Sequence, residues 1–276
     1  MTNDSFGFFL QPWDIMAEGR SFFVIGNWKM HKNLEEARLF VQRFLAEFHP
    51  PGAMKVGLAV PFMAIQPLIR EIQEGPLLIG AQNMNDASEG AFTGEIAGSM
   101  LKEAGAQFVL LGHSERRRLF GEGDAFIHRK VKRAVEEGLQ PILCVGETRE
   151  DREAGETQVV LERQLTDGLG DIPVEDLQHL VIAYEPVWAI GQEHSATPEV
   201  AQEAHHFCRR ILAGIVGEER AERCIVQYGG SVNASNARAL LAQPDIDGLL
   251  IGRTSLFLES FLQIVNDEYP KLRVQI

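Results

Sequence analysis

The chain has 276 residues, 45% of them hydrophobic, which suffices for a large buried core in one barrel or in two average domains. With 39 acidic against 26 basic side chains the formal charge is −13, which argues against general affinity for nucleic acid or anionic membranes. Any site for an anion must then be a local positive spot. Three cysteines, Cys144, Cys208 and Cys224, show no CxxC spacing, so no disulfide framework is expected and a reducing cytoplasm suits the chain. No apolar run approaches the roughly 18 residues that a bilayer span needs. Asp4, Asp14 and Glu18 lie near the start, and no basic cluster precedes Phe8-Phe9-Leu10, so no secretory leader is expected. Phe6, Phe8, Phe9 and Trp13 argue against a loose tail. Residues 1–20 read as an extension packed on the outside of the fold, and 21–276 as the catalytic domain.

From there, short apolar runs alternate with helical patterns. The strand candidates are Phe22–Asn27, Lys55–Val60, Leu77–Gln82, Phe108–His113, Gln140–Val145, Leu180–Tyr184, Cys224–Tyr228 and Gly248–Ile251. Most are continuously apolar, as strands covered on both faces of a parallel sheet must be. The stretch after the first strand carries Leu34, Val41, Phe44, Leu45 and Phe48 at helical spacing, a core-facing stripe. Eight strand–helix units without a compositional break predict an α/β fold, a single (β/α)8 barrel. An open doubly wound sheet would want a GxGxxG turn after the first strand, where Gly26-Asn27-Trp28-Lys29 stands instead.

Barrel chemistry sits at the carboxyl ends of the strands. Strand 1 ends in Asn27-Trp28-Lys29-Met30, where Lys29 reads as an anion ligand or as a solvated surface lysine. Strand 4 ends in Gly112-His113-Ser114-Glu115, placing His113 at the start of a short helix. A helix start disfavours an imidazolium, and a neutral imidazole there can donate a hydrogen bond to a carbonyl oxygen; a structural histidine is the alternative. Strand 6 ends in Tyr184-Glu185-Pro186. Burying Glu185 is costly unless it is paired or used. The small and apolar segment through Thr197 reads as a lid, whose closure would exclude water and raise the carboxylate's basicity; a structural salt bridge is the alternative. Gly229-Gly230-Ser231 after strand 7 and Gly252-Arg253 after strand 8 occupy the place where barrels hold phosphate with backbone amides. The two glycines are expected to free the backbone to turn its N–H groups towards one point.

Gly26-Asn27-Trp28-Lys29-Met30, Leu111-Gly112-His113-Ser114-Glu115-Arg116-Arg117, Tyr184-Glu185-Pro186-Val187-Trp188-Ala189-Ile190-Gly191 and Tyr228-Gly229-Gly230-Ser231-Val232 together resemble the triosephosphate isomerase family. The resemblance runs from about Phe22 to Val265 and takes in Gly90-Ala91-Phe92-Thr93-Gly94-Glu95 and Cys144-Val145-Gly146-Glu147-Thr148. It implies Glu185 as the base, His113 as a neutral electrophile, Lys29 held by Glu115 as the enediolate's counter-charge, and Asn27 as a further hydrogen-bonding group. The same Glu and neutral His pairing in this family is a known case of pKa tuning. Gly191, Gly230, Ser231 and Gly252 would hold phosphate, with Arg253 beside them. No metal or organic cofactor is implied, and the partner is a small phosphorylated sugar. The excursion 83–95 resembles the family's interface loop, which implies a homodimer with Gln82, Phe92, Thr93 and His31 at the contact. Met84 and Phe92 would otherwise expose apolar surface.

The chain departs from the family in having Arg253 for a usual glycine, Gln192-Glu193-His194-Ser195 in the lid, and His31 for a usual asparagine. Arg253 would add a cation to the phosphate grip or point to solvent, and Glu193 would pair with it on closure. Gly-Arg after strand 8 also resembles paralogues that act on four-carbon sugar phosphates such as erythrulose phosphate. Asn27-Trp28-Lys29 favours the three-carbon substrate. A catalytically silent barrel would have lost Glu185, His113 or Lys29, and all three stand.

Overall fold

A computed structural model of the chain describes residues 20–49, 54–73, 75–190, 196–267 and 269. Eight parallel strands follow one another around a closed barrel: β1 (Phe23–Asn27), β2 (Lys55–Val60), β3 (Leu77–Ala81), β4 (Phe108–Leu111), β5 (Gln140–Val145), β6 (Val181–Tyr184), β7 (Ile225–Tyr228) and β8 (Gly248–Ile251). β8 closes back on β1, with Val24 opposite Leu249 and Gly26 opposite Ile251. The (β/α)8 architecture predicted from the apolar runs is the one observed. Strand ends differ by a residue or two. β4 stops at Leu111 because Gly112 takes φ 72°, a conformation that glycine adopts without cost.

Each strand is buried on both faces because its side chains alternate between two cores. Phe23, Ile25, Ala59, Phe108, Leu110, Ile142, Val181, Ala183 and Leu250 fill the barrel interior. Their neighbours Val24, Val56, Leu58, Val109, Leu143, Ile182 and Leu249 point outward and pack beneath the helices. The pleat's period of two thus explains why the strands read as continuously apolar. Glycine makes room inside: a Cβ at Gly80 would lie 2.4 Å from the Phe108 ring.

Helices start where side chains satisfy their free N–H groups. Asn33 caps Leu34–Glu47 and Asn233 caps Ala234–Leu241, each in a reciprocal capping box. Thr197 caps Pro198–Val216, which has proline in its first turn. In the helix after β1 the buried stripe is Ala37, Phe40, Val41 and Phe44, while Leu34 is 37% exposed. Leu34 was expected in the core; as the first helical residue it lies at the rim, beyond the reach of the barrel wall. Full burial of a side chain such as Phe44 is worth roughly 1.5–3 kcal/mol. Among the described residues no helix is long and apolar enough to cross a membrane.

The foot of the barrel is locked by charge. Arg209 donates from Nε to Asp245 (2.8 Å) and from a terminal nitrogen to Asp247 (2.6 Å), all three being buried. Arg20 lies 3.0 Å from Asp247 and donates to the Pro244 carbonyl, so the chain enters the barrel at the face opposite the strand carboxyl ends. The expectation for the extension itself falls on residues 1–19, outside the described residues.

Candidate active site

The carboxyl ends of the strands bring Asn27, Lys29, His113, Glu185, Ser231, Gly230, Gly252 and Arg253 around one cavity of about 300 Å³. Lys29 arrives there through a tight turn. The Asn27 side-chain oxygen accepts from the Lys29 N–H (3.0 Å), and Lys29 holds φ 51°. Gln82 donates to the Lys29 carbonyl (2.9 Å) and to the Ala59 carbonyl (3.0 Å), bracing a backbone conformation that side chains rarely adopt. The resemblance implies Gln82 only as an interface residue; nothing in its spacing shows where its amide points. The Lys29 ammonium donates to Glu115 at 2.6 Å.

His113 sits at the cap of the helix Ser114–Phe120, and its Nδ1 accepts from the Glu115 N–H at 3.2 Å. An imidazole accepting at Nδ1 carries its proton on Nε2, and Nε2 faces Glu185 Oε1 at 3.0 Å. The other carboxylate oxygen of Glu185 accepts from the Ser114 N–H at 2.8 Å. Glu185 is 2% exposed and His113 7%.

The electrostatics depart from the sequence expectation in this resting arrangement. Burial alone would lift the Glu185 carboxyl, but His113, the Ser114 N–H and Lys29 outweigh it and hold the group below its ordinary value. Burial alone would lower His113, yet the adjoining Glu185 carboxylate draws the imidazole above its ordinary value. The helix start does oppose a second proton at Nδ1, through the Glu115 N–H. What the sequence could not show is that base and electrophile rest against each other, each favouring the other's charged form.

Gly229 and Gly230 serve space rather than unusual φ. Positive-φ glycines among the described residues do not include Gly229, Gly230 or Gly252. A Cβ at Gly229 would lie 2.9 Å from Glu185 Cγ, and one at Gly230 would overlap the Tyr228 hydroxyl at 2.2 Å. The two loops are tied together by Thr254, whose hydroxyl donates to the Val232 carbonyl (2.6 Å). Arg253 is exposed at the cavity rim. Gly191 and Gln192-Glu193-His194-Ser195 lie outside the described residues, as does the Glu193–Arg253 pairing.

The near end of the lid segment is anchored by a residue given no role from sequence. Glu147, fully buried after β5, accepts from Trp188 Nε1 (2.7 Å) and from the Tyr184 hydroxyl (3.0 Å). Arg152 lies over the Trp188 ring at 4.2 Å. The rule applied to Glu185, that a carboxylate following a buried strand needs partners, would have flagged Glu147 too. Of the predicted interface residues, Gln82 lines a neighbouring cleft of about 390 Å³, together with Met30, Phe62, Glu115 and Phe120 among others. Phe92 (52% exposed), Thr93 and His31 stand on the surface, whereas Met84 is buried. Met84 was expected to be exposed; it instead anchors the loop's base to the barrel core.

A closed (β/α)8 barrel with a carboxylate, an imidazole and an ammonium at one mouth defines a barrel enzyme of the acid–base type. Residues 22–268 match the family model described as triosephosphate isomerase. The chain is 60% identical over 250 residues to a triosephosphate isomerase of Protochlamydia amoebophila, covering 90% of this chain and 94% of that one. It is 46% identical to that of Carboxydothermus hydrogenoformans (89% and 98% covered) and 44% to that of Chlamydia muridarum (90% and 92%). The chain belongs to the triosephosphate isomerase family.

Proposed function

We propose that the chain interconverts dihydroxyacetone phosphate and D-glyceraldehyde 3-phosphate by proton transfer through an enediolate. Glu185 takes the proton from carbon 1 of the ketose, and the C–H electron pair becomes the new C=C bond as the carbonyl oxygen gains charge. His113 Nε2–H donates to that oxygen, and the Lys29 ammonium offsets the charge that develops there. His113 passes its proton to the carbon-2 oxygen and takes up the one on the carbon-1 hydroxyl, so that return of the proton from Glu185 to carbon 2 leaves an aldehyde at carbon 1 and a hydroxyl at carbon 2. To act, the Glu185 carboxylate leaves the Ser114 N–H and His113 and turns to the substrate. That move strips away the partners that hold its pKa down, so its basicity rises when a proton must be taken.

The observation carrying this reading is the meeting of Glu185, His113 and Lys29 on one cavity wall, with Glu185 Oε1 at 3.0 Å from His113 Nε2. Gly230, Ser231 and Gly252 lie on the same wall, where their backbone amides would receive the phosphate, with Gly191 of the lid completing the set. Asn27 shapes the Lys29 turn and faces the same cavity. A coupled assay on purified protein tests the proposal. Turnover of the triose phosphates, with erythrulose phosphate turned over far less well, is expected; no turnover of either triose phosphate would refute it.

The working unit is a homodimer. The exposed residues Phe92 and Thr93 crown a loop whose base is fixed by Asn85 to Glu95 (2.7 Å) and Arg129 to Asp86 (2.6 Å). Met30 (95% exposed), Phe62 and Phe120 (65%) line the cleft beside the catalytic residues, an apolar seat for the same loop of a second copy. His31 and Gln82 flank that seat. These features support the reading together with the family's resemblance to a loop-plugged dimer.

A further inference from the structure

We propose that Arg253 is a steering and binding residue for the phosphate dianion of the substrate, an inference that rests on the isomerase reading and adds a side-chain cation to a backbone grip. The argument is one of charge balance. The cavity wall carries two cationic side chains, Lys29 and Arg253, against the carboxylate of Glu185. Lys29 is committed to Glu115 at 2.6 Å. Arg116, in the adjoining cleft, is committed to Glu122 at 2.6 Å. Arg253 has no acidic partner among the described residues, although it stands in a protein of net charge −13.

Without Arg253, the titratable groups facing the cavity are an internally neutralised Lys29–Glu115 pair and the Glu185–His113 pair, in which any charge on the imidazole is matched by the carboxylate against it. A dianion entering such a mouth meets repulsion from the whole protein and no uncompensated cation. A guanidinium at the rim, unpaired with any acid among the described residues, reverses the local sign, and a concave wall focuses its field. Its fork of N–H donors matches phosphate oxygens in a way that an ammonium does not. Position supports the same role. Thr254 clamps the Arg253 turn to the loop carrying Ser231 (2.6 Å), and the Ser255 hydroxyl donates to the Gly252 carbonyl (2.7 Å), so the residue is held at the phosphate side. A charge on the non-reacting phosphoryl group acts alike on the ground and transition states, so its loss raises KM and leaves kcat nearly unchanged.

The experiment compares wild type with Arg253→Gln, Arg253→Lys and, for net charge, Arg210→Gln. Arg210 is exposed on the helix Pro198–Val216, about 18 Å along its axis from Pro198. KM for the triose phosphates and the inhibition constant of inorganic phosphate should rise roughly tenfold in Arg253→Gln at low ionic strength, with kcat within about twofold. The salt dependence of kcat/KM should flatten in Arg253→Gln, persist in Arg253→Lys and match wild type in Arg210→Gln. Arg253→Gln behaving like Arg210→Gln in KM, phosphate inhibition and salt dependence would overturn the assignment. Should Arg253→Gln not fold, Arg253→Gly takes its place with the same expectations. If wild type turns over neither triose phosphate, the isomerase reading falls alone. Direct titration of inorganic phosphate into wild type and Arg253→Gln then still decides the Arg253 question, weaker binding in the variant supporting it and equal binding refuting it.

Discussion

His113 turns its two ring nitrogens to opposite tasks: Nδ1 accepts from the Glu115 N–H at 3.2 Å, while Nε2 faces Glu185 Oε1 at 3.0 Å. The first contact fixes the tautomer, and the second aims its proton at the site where a substrate oxygen would lie. Replacing Glu185 by Gln removes the carboxylate that does most to draw the imidazole upward, leaving burial and the Lys29 charge, which lower it, against the smaller upward pull of Glu115. The His113 pKa in Glu185→Gln should therefore fall below its ordinary value of 6.5, as read by ¹⁵N NMR titration. A value above that in the variant would contradict the assignment.

The sign of the stability effect follows from the same pair. The Glu185 pKa is depressed, so its contribution is present above the ordinary value of 4.5 and is lost as pH falls through the depressed value. The His113 pKa is raised, so its contribution is complete below 6.5 and is lost as pH rises through the raised value. Denaturant unfolding of wild type against Glu185→Gln should show the widest gap between those limits, narrowing on both sides.

Gly229 leaves the space that the Glu185 side chain occupies. In Gly229→Ala the new methyl would lie 2.9 Å from Glu185 Cγ, so kcat should fall roughly tenfold to a hundredfold with circular dichroism unchanged. Gly252→Ala is the contrast: its methyl meets only the Lys29 side chain, with Cε at 3.6 Å and Nζ at 3.9 Å, both ordinary contacts, and kcat should stay within about threefold.

At the opposite face, Arg209→Met strands the buried carboxylates of Asp245 and Asp247. Breaking a buried pair of this kind costs about 3–5 kcal/mol, to be read from urea unfolding. Arg20 is more exposed, with side-chain accessibility of 25%, and its replacement by Gln should cost about 1 kcal/mol. Neither change should alter kcat where the variant is folded.

Phe92→Asp places a charge on the loop proposed to enter a second copy. Sedimentation should give twice the 30.7 kDa chain mass for wild type and the single mass for the variant, with activity falling alongside. A wild type that sediments at the single mass would remove the dimer proposal.

Much of the molecule was readable in its residues, for reasons that are physical. Strands covered on both faces must be apolar throughout, so β5 and β8 stood out, and the residues after them were where chemistry had to lie. Glu185 and His113 were conspicuous because polar groups next to buried strands need a purpose. What was not readable is how side chains lean on one another. The resting contact between Glu185 and His113, the Gln82 brace beneath Lys29 and the Glu147 anchor of Trp188 each join residues far apart in sequence. The same limit explains Gly229 and Gly230, whose need for glycine comes from a neighbour's atoms and not from their own dihedral angles. Leu34 shows it at the surface, a residue with the right spacing at the wrong height on its helix.

The central claim is that Glu185 carries the proton. Dihydroxyacetone phosphate incubated in D₂O with the enzyme tests it directly, with NMR following deuterium at carbon 1 of the recovered ketose. Wild type should exchange one of the two carbon-1 hydrogens, and Glu185→Gln, with its circular dichroism intact, should be slower by at least about a thousandfold. Exchange at the wild-type rate in Glu185→Gln would contradict the account.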